Sequence, residues 1–97
     1  MPDRSPTVID VTVSGGSGAV VVSLAGGCIA VGAKKISGTP TYDIELMDQD
    51  GFGLFGKEGL SGVSTVPCKI QFWGNTTVLI SNASLDGAYQ VKLWYDR

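Results

Sequence analysis

Between residues 41 and 47 the chain alternates: Tyr42, Ile44 and Leu46 fall on one side, Thr41, Asp43 and Glu45 on the other. A period of two belongs to a half-buried β-strand, because successive side chains of a strand point to opposite faces. Asp48-Gln49-Asp50-Gly51 follows as an acidic glycine turn, and it predicts a short return strand over residues 52–55 and hence a hairpin. The same grammar recurs. Residues 7–13 set Ile9, Val11 and Val13 against Asp10 and Thr12. Residues 88–95 set Tyr89, Val91, Leu93 and Tyr95 against Gln90, Lys92 and Trp94.

Glycine, proline, asparagine and serine clusters divide the rest into short β-prone pieces. Ser14 to Gly18 reads as a flexible turn, and Gly26-Gly27 as a break between strands over 19–25 and 28–36. Gly56 to Thr65 reads as a glycine-rich loop, and Gly74-Asn75 as a tight turn between strands over 66–73 and 76–81. Pro67 marks an edge or a strand start, since proline donates no ladder hydrogen bond. The β-branched run Val20-Val21-Val22 predicts a strand covered on both faces, or one whose outer face meets another chain. No window shows apolar residues at helical spacing. The expectation is an all-β domain over residues 7–97, a small antiparallel β-sandwich or jelly-roll-like barrel of about seven to eight strands. Residues 1–6, with Pro2, Arg4 and Pro6, are expected to form an extended N-terminal arm.

Composition narrows the classes of function. The chain has 97 residues, enough for one domain, and its charged fraction of 16% is low beside the usual quarter. A small domain with so few charges is expected to cover part of its surface by assembly. The seven basic residues are scattered, and only Lys34-Lys35 adjoin, so no basic stripe suited to nucleic acid emerges. The polar beginning has no signal-peptide pattern, and no apolar run reaches the roughly 18 residues of a membrane helix. Synthesis in a cytoplasm and no membrane partner are the expectation. Cys28 and Cys68 are then expected to be free buried thiols, although a sandwich could bring them together.

Candidate chemistry is sparse. The chain contains no histidine, which removes histidine-based triads and histidine-ligated metals. With two sulfurs and no histidine, a zinc site is not expected, and no cofactor is implied. Asp43 and Glu45 stand about 6.5–7 Å apart on one strand face, a separation at which carboxylates can act on a glycosidic bond. Lacking an aromatic sugar cluster beside them, they read as a solvated strand face. Asp48-Gln49-Asp50-Gly51 fails as a calcium loop because its twelfth position is Gly59, so it reads as a type I turn with Gly51 left-handed. The asparagines at 75 and 82 match a glycosylation pattern but read as turn residues. The expected protein is not an enzyme. Its contact candidates are Val20, Val21, Val22, Phe52, Phe55, Trp73 and Trp94, beside the arm residues Pro2, Arg4 and Pro6.

The order of motifs in residues 41–95 carries a resemblance. It runs from Tyr42-Asp43-Ile44-Glu45-Leu46-Met47-Asp48-Gln49-Asp50-Gly51 through Gly59-Leu60-Ser61-Gly62 to residues 77–83, Thr-Val-Leu-Ile-Ser-Asn-Ala. It closes on Asp86-Gly87-Ala88-Tyr89-Gln90-Val91-Lys92-Leu93. This order is similar to small structural virion proteins of tailed bacteriophages. The resemblance implies a multicopy, homo-oligomeric subunit that binds other virion proteins, foremost the major capsid protein, as a capsid cement or decoration protein. A head-to-tail adaptor among neck proteins is the alternative. From a different class, a carbohydrate-binding β-sandwich would use Trp73, Trp94 and Tyr95 as a stacking platform.

Overall fold

The computed structural model describes residues 6–95; Pro2 and Arg4 of the expected arm lie outside the described residues, and Pro6 immediately precedes the first strand. Six strands follow: β1 (Thr7–Val13), β2 (Gly18–Lys35), β3 (Thr41–Asp48), β4 (Gly53–Ser61), β5 (Ser64–Ser81) and β6 (Gly87–Tyr95). They form one antiparallel sheet in the order β1-β6-β2-β5-β3-β4. The all-β expectation holds. The expected sandwich or barrel of seven to eight strands does not: the described residues make six strands in one open sheet.

The difference comes from glycine. Gly26-Gly27 and Gly74-Asn75 do not end strands; β2 and β5 each run through 18 residues. Gly26 (φ 99°) and Gly74 (φ 135°) hold backbone conformations that side-chain-bearing residues rarely adopt. They sit nearly opposite each other, with Leu24 paired to Gly74 and Gly26 to Phe72. Both long strands therefore bend at one place without breaking their ladder, as glycine kinks permit. A second irregularity, a register shift between Cys28 and Ala30, faces Pro67, where a missing donor is tolerated. Pro67 lies in the part of β5 that pairs only with β2, in keeping with its edge reading.

The expected loop over 56–65 is mostly strand as well. In β4, Gly56 pairs with Glu45, Lys57 with Ile44 and Leu60 with Tyr42. The backbone ladder holds this edge strand, whose residues 56–59 are all exposed, so no side-chain pattern announces it. The β3–β4 turn matches its sequence: Gly51 (φ 84°) donates its N–H to the Asp48 carbonyl at 3.0 Å. The Asp48 carboxylate accepts from the N–H groups of Asp50 and Phe52, each at 2.9 Å.

The bent sheet buries its inner face against itself. Ile9, Val11 and Val13 from β1 join Tyr89, Val91 and Leu93 from β6 and Tyr42, Ile44 and Leu46 from β3 in one core. β2 and β5 add Leu24, Cys28, Val31, Ile70, Phe72, Val78 and Ile80. Each such burial removes apolar surface worth about 1.5–3 kcal/mol. The rings of Tyr42 and Tyr89 meet edge-to-face with centroids 5.5 Å apart, although β2 and β5 separate β3 from β6 in the sheet. That contact records how far the sheet folds over. The Tyr42 hydroxyl lies 2.8 Å from both the Ala33 and the Gly62 carbonyl oxygens, and the Tyr89 hydroxyl donates to Leu85 at 2.6 Å. The result is a slab of 36 × 32 × 18 Å.

Candidate functional site

The strand register sorts the sequence candidates onto two faces. Val20 and Val22 point inward and pack against the core, while Val21 is 61% exposed. Among the described residues the run 20–22 is thus covered on one face, and Val21 leaves its outer side open. Outer positions of the paired segments 18–27 of β2 and 71–80 of β5 include Ala19, Val21 and Ala25 on one strand and Trp73 and Leu79 on the other. Trp73 is paired with Ala25 and is 77% exposed. No residue between 18 and 27, or between 70 and 82, carries a charge. The central strand pair therefore presents an uncharged, partly apolar outer surface. Loss of charge of this kind marks the middle of protein interfaces more than free surface.

The backbone is open along the same pair. Among the described residues β6 meets β2 only from Cys28 onward, so residues 18–27 of β2 have β5 alone as described ladder partner. β3 meets β5 only from Thr76 onward, which leaves residues 64–75 of β5 paired on one side. Unpaired edges of this length are templates for strand addition.

Trp94 occupies a different place. It lies on the outer face with Gln90 and Lys92, as the alternation predicts, but it is half-buried. A Cβ added to Gly32 would come within 2.8 Å of its ring, so the indole rests directly on the bare backbone of β2. Gly32 exists there to let the ring down. Trp94 lines a cleft with Gly32, Val63, Thr65 and Lys92, whereas Trp73 lines one of about 200 Å³ with Asp48, Gln49, Asp50 and Asn75. The two tryptophans do not share a platform. Of the phenylalanines, Phe55 packs on the core and Phe52 is 70% exposed at the β3–β4 turn. Sequence reasoning passed over Val63, 77% exposed in the β4–β5 turn; a lone apolar residue in a turn gave no pattern to catch.

Asp43 and Glu45 do share a strand face, but Asp43 is structural. One of its oxygens accepts from Asn82 Nδ2 at 2.7 Å and the other from the Gly59 N–H at 2.8 Å. These bonds, the Asn82 contact first, hold its carboxyl below the usual carboxylate range. The group stays ionised and clamps β3 to the β4 bend and the β5–β6 loop. Among the described residues, no cluster of three or more acidic, cysteine or histidine side chains could hold a metal ion.

Cys28 and Cys68 are neighbours. Their sulfurs lie 3.8 Å apart, unbonded, across the β2–β5 pair, with Cys28 buried and Cys68 half-buried. No helix is long and apolar enough to cross a membrane among the described residues.

No known protein family matches this chain, and no curated protein matches it.

Proposed function

We propose that this chain is a non-enzymatic structural subunit of a virion, a capsid decoration or cement protein that binds the major capsid protein through the outer face of β2 and β5. The observation that carries the reading is the uncharged strip containing Val21, Ala25 and Trp73, flanked by backbone edges that no strand pairs among the described residues. Tryptophan is enriched among the residues that dominate interface energy. The phage-like motif order suggests the identity of the partner, and strand addition at an open edge is a mode of contact that suits it. Repetition around a symmetric particle multiplies a small contact into firm attachment.

Copy number in purified virions tests the proposal. Hundreds of copies per particle support decoration, on the order of a dozen transfer the chain to a neck ring, and none overturns a virion role. Trp73→Ala is expected to lower particle occupancy at least tenfold while changing stability by no more than about 0.5 kcal/mol, because the residue is 77% exposed. Full occupancy with Trp73→Ala would remove the outer face from the contact.

A carbohydrate-binding module is the second reading, favoured by the Trp73 cleft alone. Its indole stands beside Gln49, Asp50 and Asn75, a combination of stacking surface and polar groups that suits a sugar ring. Glycan-array binding that vanishes with Trp73→Ala and survives Trp94→Ala would favour it.

A further inference from the structure

The forty residues between Cys28 and Cys68 conceal a pair that the β2–β5 register brings together at the strand irregularity facing Pro67. Cys28 pairs with Ile70, and the ladder resumes only at Ala30 with Pro67, so Ile29 of β2 faces two residues of β5, Cys68 and Lys69, and the extra residue lies on β5 beside the Cys68 sulfur. The two sulfurs approach to 3.8 Å there. The Cys28 thiol donates to the Ala30 carbonyl at 3.2 Å, and the Cys68 thiol has the Cys28 carbonyl oxygen 3.7 Å away. No backbone ladder has to break for the sulfurs to meet, because an irregular strand already has slack at this point. Shortening the gap by about 2 Å would reach bonding distance. A cleft lined by Gly27, Cys28, Ile29, Lys69, Ile70 and Gln71 adjoins the pair on the Cys28 side, and Cys68 itself is only half-buried.

We propose that Cys28 and Cys68 form an oxidation site that closes into an intrachain disulfide when a peroxide reaches it, stapling the two longest strands beside the bend of the sheet. The Cys68 sulfur, the more exposed of the two, attacks one oxygen of hydrogen peroxide. The O–O bond breaks, the sulfur becomes a sulfenic acid, and the departing hydroxide takes up the thiol proton as water. The Cys28 sulfur then attacks the Cys68 sulfur; the S–S bond forms, the S–O bond breaks, and a second water leaves. Two thiols have lost two hydrogens, and peroxide has been reduced to two waters. Burial, together with the neighbouring Cys28 sulfur, pushes the Cys68 thiol up to about 12, so its thiolate is scarce at neutral pH. The site is therefore a slow one, reduced through synthesis and closed on prolonged exposure to oxidant. This inference is independent of the virion reading.

The full chain, treated with hydrogen peroxide at about pH 9 to raise the thiolate fraction, tests it. The expected product has lost two hydrogens by intact mass and yields a Cys28–Cys68 linked peptide in a non-reducing digest. It melts at a higher temperature than the reduced protein, and dithiothreitol reverses every change. Thiols that remain alkylatable, added oxygen atoms without a cross-link, or disulfide-linked dimers would each overturn the proposal. Cys68→Ser should abolish the linked peptide and the rise in melting temperature; a rise that persists in this variant also overturns it. Should the variant not fold, the peptide map of the unmodified chain decides alone.

Discussion

The two ends of the sheet are built on opposite plans. At one end, loops tie one another down. The Asp86 carboxylate accepts from the Gly15 and Gly16 N–H groups at 3.0 and 2.9 Å, and Ala83 donates to the Gly16 carbonyl at 2.9 Å. Thr41 and Ser84 exchange two bonds of 2.9 Å, and Ile36 donates to Ala88 at 2.8 Å. At the other end, where Gly26 and Gly74 bend the long strands, Trp73 is 77% exposed and strand edges have no partner among the described residues. Among the described residues, the backbone is thoroughly satisfied at one end and open at the other. Asp43, Asp48 and Asp86 all accept from backbone N–H groups, and Asp43 also accepts from Asn82.

The comparison can be broken from several directions. Leu46→Ala strikes the core common to both ends, where the side chain is wholly buried, and should cost about 2–5 kcal/mol by denaturant titration. A loss below 1 kcal/mol would mean that the sheet does not close on itself as described. Gly74→Ala strikes the bend. A Cβ would meet nothing closer than 3.8 Å, so space is not limiting, but the φ of 135° is strained for any other residue and should cost about 1–3 kcal/mol. Gly53→Ala, with open space and no positive φ, is the control expected to change little.

The smallest effect belongs to the tied end. Asp86→Asn should lower the melting temperature slightly at neutral pH, by less than either change above. The backbone bonds from Gly15 and Gly16 hold the Asp86 carboxyl below its ordinary value, and Asp43 is lowered likewise. A carboxylate whose folded value is depressed stabilises the protein above its unfolded value, near 3.8, and loses that contribution as pH falls through the lower folded value. Melting temperature should therefore decline below about pH 4 in the unmodified chain, and less steeply in Asp86→Asn. Equal acid slopes would show that the loop tie contributes nothing. At the alkaline side, burial raises Tyr42 and Tyr89, so the stability they contribute is intact below pH 10 and lost as pH rises through their folded values.

The alternation of residues 7–13, 41–47 and 88–95 was sufficient to place Ile9, Val11, Val13, Tyr42, Ile44, Leu46, Tyr89, Val91 and Leu93 in the core. A period of two under one buried face admits no other register, and the Asp48–Gly51 turn carried its own chemistry in its four residues. Local sequence also marked Trp94 as outward-facing and Pro67 as an edge residue. What it could not separate was a glycine that ends a strand from one that bends it. Gly26, Gly27 and Gly74 look like punctuation until a partner strand supplies the ladder that carries the chain through them. The strand count, the open sheet, the difference between the two tryptophans and the meeting of Cys28 with Cys68 all follow from that pairing. Each depends on which residues lie opposite one another across the sheet, and only the folded arrangement decides that.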